Sequence, residues 1–442
     1  MRFFILTCLS IVELASVSHA SKIPHNVLPR GTVTAALTTI GASTITTTTT
    51  TTICTSSPST SQQSTTPELV PRIISTFPPG TWLENLVIRQ SDANALVTIL
   101  SSPDLLLLST DSSFSPQHIA SIPEALGCLG IVELYHDIFY IVAGNWTAKT
   151  GVSTPGSYGV WEIDMRGYIV PHQYRDQDQS LEQEYETRNG SWSNSSRWNS
   201  TTLDAPGIRK RKVASLPDSG FLNGMTILNP TSGILLVADS LHGLVWSVNV
   251  LTGSVKIAVN DTTMAPIPGS TLQLGINGLL VRDSYLYFDN TNRAGFYRVQ
   301  IDLKTGERES EVETLVQSNI ETIFPDDFTI DFVGNAWMTA DVWGQMDFLE
   351  EVATVTSPGS SVSSGLTEPV GEDGPDLEIV AGSKGDEFIT GWTAAKFGTR
   401  KDDVQRGSLY VTTNGGPVNY YFSNWTSGGM LIRLDTVELG VY

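Results

Sequence analysis

Cysteine is scarce in this chain: three residues in 442, at Cys8, Cys54 and Cys128. So few, so far apart, form no Cys-x-x-Cys pair, which excludes thiolate zinc sites and a disulfide framework as the organising chemistry. Histidine is equally thin at six, and no Cys/His cluster or cysteine nucleophile is supported. Basic residues are also short, 26 Lys and Arg against 46 Asp and Glu, for a net charge of -20. They are scattered and build no basic stripe, so nucleic acid is not an expected partner. Past the first twenty residues no apolar run approaches a membrane-spanning length, and no membrane span is expected.

What is abundant is repetition. A short phrase recurs as WLENL (Trp82 to Leu86), FLNGM (Phe221 to Met225), GINGL (Gly275 to Leu279) and FPDDF (Phe324 to Phe328). Degenerate copies stand at GCLGI (Gly127 to Ile131) and WTAAK (Trp392 to Lys396). Each copy is followed by an apolar strand, a turn and a second strand, as in GILLVADSLHG and GNAWMTADVWG. A period of roughly forty to fifty residues with several short strands per unit is the mark of propeller blades. The expected fold is therefore all-β, a six-bladed β-propeller with four-stranded antiparallel blades around a central channel. The innermost strand of every blade starts at the same end of that channel. The central residues of the six copies, Glu84, Leu129, Asn223, Asn277, Asp326 and Thr393, should then point at one spot on the axis. Asn-Gly and Asp-Asp are also ordinary turn formers, but turn chemistry alone does not place acids and amides at one repeat position. Carboxylates and amides gathered there form the all-oxygen set a hard divalent cation prefers.

Residues 1–20 combine Arg2, an apolar run and small residues at Ser18 and Ala20, the pattern of a cleavable signal peptide. Residues 21–71 form a Ser/Thr-rich arm with a run of Thr from Thr46 to Thr52, a composition that cannot supply a core. The propeller is expected over 72–442, with polar surface insertions at about 172–212, between the second and third blades, and about 354–384, between the fifth and sixth. The first insertion ends in the dibasic run Arg209 to Lys212, a candidate for proteolytic nicking. Six Asn-x-Ser/Thr sequons, at Asn145, Asn189, Asn194, Asn199, Asn260 and Asn424, fit N-glycosylation and a secretory route, secreted or vesicular. Cys128 is expected to be a buried, inert thiol, and pairing with Cys54 stays open. A monomer is the default for a closed propeller.

Antiparallel strands bring the loop after each second strand back to the motif end of the channel. That ring of loops contributes Trp146, Asp239, Ser240, His242, Asp289, Asn290, Asn292, Arg293, Asp341, Trp343, Asn414, Tyr420 and Tyr421. With Trp82 and Trp392 from the inner motifs, the mouth reads as aromatic walls around a polar floor, suited to small apolar or aromatic substrates. Trp161, Trp246 and Trp337 fall within strands and read as packing between blades.

Glu84, Asn223-Gly224, Asn277-Gly278, Pro325-Asp326 and the phrase Asp331 to Trp337 together make the chain resemble the senescence marker protein, gluconolactonase and regucalcin family of six-bladed propellers. The resemblance covers about Trp82 to Arg433. It implies that Glu84, Asn277 and Asp326 ligate a divalent cation, often calcium, that Asn223 is a ligand or substrate contact, and that Asp326 is a general base for lactone hydrolysis. The chain departs from the family in having Asp327 where Pro-Asp-Gly is usual, and in its leader, arm and insertions. In overall layout it looks most like fungal secondary-metabolite propellers that act as hetero-Diels-Alderases, joining a tropolone quinone methide to the sesquiterpene humulene.

Two chemistries follow. A cycloadditase would need no cofactor, only desolvation, positioning and polarisation of the heterodiene by groups such as Asn223, Asn277, Asp326 and His242, with Trp82, Trp343, Trp392, Tyr421 and Arg293 contacting substrate. A lactonase would need a cation to polarise the ester carbonyl. A binding propeller whose polar centre merely holds an ion is the third reading.

Overall fold

A computed structural model describes residues 69–147, 152–170, 204–270, 273–318, 324–341, 345–349, 377–382, 389–416 and 427–439. Within them the strands form six four-stranded antiparallel sheets, each a propeller blade, and one two-stranded ribbon. The innermost strands are Leu83–Ile88, Gly127–Tyr135, Leu222–Asn229, Ile276–Arg282, Pro325–Ile330 and Trp392–Phe397. Each packs beside the innermost strands of the two flanking blades, the last against the first, so the sheets surround a channel. Among the described residues helix is confined to Lys401–Arg406 and a 3-10 turn at Thr436–Leu439, both in the last blade. Among the described residues no helix is long and apolar enough to cross a membrane.

The second and third strands are apolar on both faces because both faces meet a neighbouring blade. Asp104–Leu108 (DLLLL) and Ala95–Ile99 (ALVTI) are buried at every position, which is why such strands read as continuous rather than alternating apolar runs. The last blade takes its outermost strand from the other end of the domain: Arg72–Thr76 pairs antiparallel with Met430–Asp435. That pairing closes the ring through hydrogen bonds between distant parts of the chain.

Two boundaries differ from the sequence reading. Arg209–Ser215 is the outermost strand of the second blade, paired with Gly159–Asp164, and Glu378–Gly382 is the outermost strand of the fifth, paired with Gln345–Leu349. Both insertions therefore interrupt a blade between its third and fourth strands rather than separating blades, and both end earlier than expected. The cause is composition: an outermost strand faces solvent, so RKRKVAS carries little apolar signal. Its charges suit an exposed edge, where Lys and Arg discourage pairing with other chains. Arg209 and Arg211 pair with Asp164 and Glu162 at 2.7 and 2.5 Å. The dibasic run is thus laid into the outer edge of a sheet. The Ser/Thr-rich arm, Cys54 and the bodies of both insertions lie outside the described residues. Cys128 is free and buried, and burial pushes its thiol well above the ordinary value, the inert state expected of it.

Asp331 explains the phrase that runs to Trp337. Its carboxylate accepts the backbone N–H groups of Val333, Gly334 and Asn335 and the side-chain N–H groups of Asn335 and Trp337, at 2.8–3.1 Å. Gly334 turns there with φ 113°. The phrase is a turn lock joining the first two strands of the fifth blade.

The recurring motif has its own backbone form. In all six innermost strands the pairing register shifts at the motif, between Leu83 and Leu86, Cys128 and Ile131, Leu222 and Met225, Ile276 and Leu279, Pro325 and Phe328, and Trp392 and Ala394. A bulge leaves a backbone N–H without its ladder partner. Second-strand side chains capture it: Asn85 N–H donates to Thr98 Oγ1 (3.1 Å), Gly278 N–H to Asp289 Oδ1 (2.8 Å) and Asp327 N–H to Thr339 Oγ1 (3.1 Å). The Thr98 and Thr339 hydroxyls then donate to Leu129 O and Thr393 O of the next blade, at 2.7 and 3.0 Å. Ser240 and Thr291 make the same step to Ile276 O and Pro325 O.

Replacing Thr339 with Val removes both roles at one buried atom and should cost about 1–3 kcal/mol of unfolding free energy. Thr339→Ser should retain most of that stability, and equal urea midpoints for the two variants would contradict the assignment.

Candidate functional site

The bulges turn the motif side chains toward the channel axis, where Glu84, Asn223, Asn277 and Asp326 are all nearly buried. Gly130, Gly224 and Gly278 allow the close approach that this requires. A Cβ on Gly130 would sit 2.6 Å from Asn223 O, and one on Gly224 would sit 2.4 Å from Asn277 O. Asn277 is the hub: its Nδ2 donates to Asp326 Oδ1 at 2.7 Å and to Thr291 Oγ1 at 3.0 Å. Asp341, at the end of the second strand of the fifth blade, joins the group and accepts the Asn414 amide. Asp327, the residue that departs from the family pattern, is tied from both sides, accepting Asn85 Nδ2 at 3.0 Å with Lys396 Nζ at 3.4 Å.

Buried carboxylates this close cannot all be charged in a medium of low dielectric. Burial first, then the nearby Asp341 charge, raises Glu84 to about 8, with the Trp82 indole pulling the other way. Burial raises Asp341 to about 7, partly offset by the Asn414 bond. Asp326 is pushed well above its usual range by burial and then by Glu84, Asp341 and Asp289, against the opposing bond from Asn277. Asp289 is raised likewise, by burial and by Asp327. Glu84 Oε2 and Asp289 Oδ2 are buried with no hydrogen-bond partner. At neutral pH the cluster holds protons or recruits a cation.

One motif centre is apolar. Leu129, the degenerate motif residue of the second blade, is buried in one cluster with Trp82, Trp146 and Leu222. The Trp82 and Trp146 rings meet edge to face, 5.5 Å between centroids at 74°. The site is thus mixed: acids and amides at Glu84, Asn223, Asn277 and Asp326, with Leu129 apolar among the motif centres and the Trp82 indole beside Glu84.

Three residues that the sequence reading placed here have other partners in the structure. Trp392 is fully buried between blades, packed in one cluster with Trp337 and donating Nε1 to Ile389 O at 3.2 Å. Arg293 is held by the connection that precedes the fourth blade, with Nε donating to Ala265 O at 2.8 Å. Asn290 and Asn292 pin that same loop, through Thr263 O and Ile267 N–H. His242 faces Asp239 at 3.1 Å, and Asp239 also accepts Gly220 N–H, Phe221 N–H and Trp246 Nε1. His242 is thus paired with a turn-fixing carboxylate. Trp343, Tyr420 and Tyr421 lie outside the described residues, as do Asn189, Asn194, Asn199 and Asn424. Of the other sequons, Asn260 is exposed at the end of an outermost strand and Asn145 is half-buried. Asp341 and Leu129 are the more informative members of the site. Asp341 was one loop residue among many in the sequence, and Leu129 occupied a motif position without the expected polarity.

The chemistry of the donor set suits a hard cation, since every candidate ligand is an oxygen. Among the described residues no group of three or more His, Cys, Asp or Glu side chains could hold a metal ion. A cation here would therefore draw on the amide oxygens of Asn223 and Asn277 beside Glu84 and Asp326.

No family model matches the chain. A protein of Phoma sp named "Putative hetero-Diels-Alderase" is 25% identical over 371 residues, covering 78% of this chain and 86% of the relative. A Sarocladium schorii protein bearing the same name is 24% identical over 253 residues, 52% of this chain and 53% of the relative. Among solved structures, the luciferin-regenerating enzyme matches 83% of this chain and 95% of its own, with a TM-score of 0.51 and 12% identity, a likeness of fold. In sequence the chain is similar to propellers named as hetero-Diels-Alderases, the subgroup that its overall layout resembles.

Acids whose folded-state pKa is raised bind protons more tightly in the native protein. Their stabilising effect is complete below the ordinary values of 3.8 and 4.5 and is lost as pH rises through about 7 and 8. In chelator, the urea midpoint should therefore fall between pH 5 and pH 8, and Glu84→Gln should flatten the slope. A midpoint that rises with pH over this range, or a slope unchanged in the variant, would contradict the protonated cluster.

Proposed function

We propose that this chain is a pericyclase of the hetero-Diels-Alder type that joins a carbonyl-bearing heterodiene to an apolar alkene. In the finer form of the proposal, the pair is a tropolone quinone methide and a sesquiterpene such as humulene. The observation that carries the reading is a buried polar cluster of Glu84, Asn277, Asp326 and Asp341 with apolar groups beside it, the Trp82 indole at Glu84 and Leu129 at the motif centre of the second blade. The named relatives support the same reaction class.

The bond changes need no acid, base or nucleophile to be consumed. One C–C and one C–O bond form from three π bonds, one π bond remains, and nothing leaves or is oxidised. The protein must bring the partners together and draw electron density from the heterodiene. Holding them within near-attack distance contributes on the order of 7–11 kcal/mol. A protonated carboxyl in a buried site can donate a hydrogen bond to the carbonyl oxygen that becomes the ether oxygen. The Asn277 amide fixes Asp326 for that task. The indole and leucine groups exclude water and accept the hydrocarbon.

A second reading is kept by the crowding of Glu84 and Asp326 and by the unpartnered Glu84 oxygen. With a divalent cation bound, polarisation of an ester carbonyl would make the same residues a lactone hydrolase.

The purified protein, in chelator, is expected to accelerate cycloaddition of the generated quinone methide with humulene above the buffer rate. Asp326→Ala should lower that rate on the order of 10²-fold, as loss of a preorganised donor does elsewhere. Trp82→Ala should shift the product ratio toward that of the uncatalysed reaction. No acceleration in chelator together with calcium-dependent lactone hydrolysis would replace this reading with the second.

A further inference from the structure

Three residues beyond each motif centre, the innermost strands carry Val87, Val132, Thr226, Leu280 and Thr329, and in the sixth blade Lys396. One ammonium thus interrupts a ring of apolar and hydroxyl side chains, on the side of the bulges away from the acid cluster. At this level the channel opens into a funnel of about 180 Å³ whose walls include Val87, Ile131, Ile227 and Leu280, with Lys396 at the edge. Val87, Ile227 and Leu280 are only partly covered by the protein.

Lys396 is held loosely. Its Nζ lies 3.4 Å from Asp327 Oδ2 and 3.4 Å from Phe328 O, longer than the 2.7–2.9 Å of a charge-assisted bond. Asp327 keeps a second partner in Asn85, so Lys396 can turn toward a ligand without leaving that carboxylate bare. Glu133 and Thr226, also at this mouth, are engaged. Glu133 accepts the backbone N–H groups of Gln90 and Asp137 at 2.8 Å each, and Thr226 Oγ1 accepts Val281 N–H at 3.3 Å. Apolar walls with one under-coordinated cation select a molecule with a hydrocarbon body and an anionic head.

We propose that the far mouth of the channel is a second small-molecule site, which takes a carboxylate bearing a hydrocarbon tail. The carboxylate meets Lys396 Nζ and the tail lies along Val87, Ile227 and Leu280. The site touches the axis cluster only through the Lys396–Asp327 pair, and binding is read by titration without the cycloaddition.

Calorimetric titration with decanoate and with decanol tests it. The unmodified protein should bind decanoate at least tenfold more tightly than decanol. Lys396→Met should abolish that preference while still binding decanol, and Lys396→Arg should restore it. Ile227→Trp, which fills the funnel, should remove both ligands. The proposal is overturned if decanoate does not bind, if the preference survives in Lys396→Met, or if Ile227→Trp binds both ligands as before. Should Lys396→Met fail to fold, the Arg and Trp variants decide the matter between them.

Discussion

One constraint governs this propeller: the bulge at the start of every innermost strand must have its stranded N–H satisfied in a place with no water. Thr98, Asp289 and Thr339 meet that need from the neighbouring strand, and the threonines pass the bond onward to the next blade. A buried N–H left alone would cost about as much as a lost hydrogen bond with its desolvation, roughly 1–3 kcal/mol. Local backbone irregularity and blade-to-blade adhesion are therefore one feature. The same bulge sets which residue of the motif faces the axis, so the site inherits its geometry from what holds the ring together.

That origin explains the electrostatics. Residues placed on the axis by a structural bulge are buried whatever their charge, and here two blades supply an acid at that point with Asp341 added from a loop. Desolvation and mutual repulsion act in the same direction, and one amide bond from Asn277 offsets only part of the effect. Protons or a cation would resolve the conflict near neutral pH. Asp327 is instead bracketed by Asn85 and Lys396, and five N–H groups surround Asp331.

The motifs were legible in the sequence because a bulge facing an axis tolerates few side chains and repeats them. The blades followed from those motifs, since every copy is trailed by apolar strands buried on both faces. The outermost strands were not legible: Arg209–Ser215 and Glu378–Gly382 face solvent and carry no apolar period, so they read as parts of the insertions beside them. Trp82 and Trp392 show another limit. Both open a motif, yet Trp82 packs in one cluster with Leu129 while Trp392 packs between blades, where Trp337 stands in the neighbouring sheet. Spacing fixes the strand position of a side chain and leaves its rotamer to neighbours absent from the local sequence. His242 and Arg293 misled for the converse reason, since their partners, Asp239 and Ala265 O, belong to turns that a loop needs in any protein.

The departures from symmetry are where chemistry enters. Six identical blades would present six identical groups to the axis, a ring fit for one ion and little else. Here Leu129 replaces a polar residue in the second blade and Thr393 in the last spends its hydroxyl on Leu83 O and Thr412. The remaining acids and amides come from four blades, with the Trp82 indole beside Glu84. Such a channel presents polar and apolar groups to one ligand. A ligand with a carbonyl at one end and hydrocarbon at the other is oriented before any specific contact forms. For two partners of unlike polarity that orientation is most of what a pericyclic step requires, because the bond changes themselves ask nothing further of the protein.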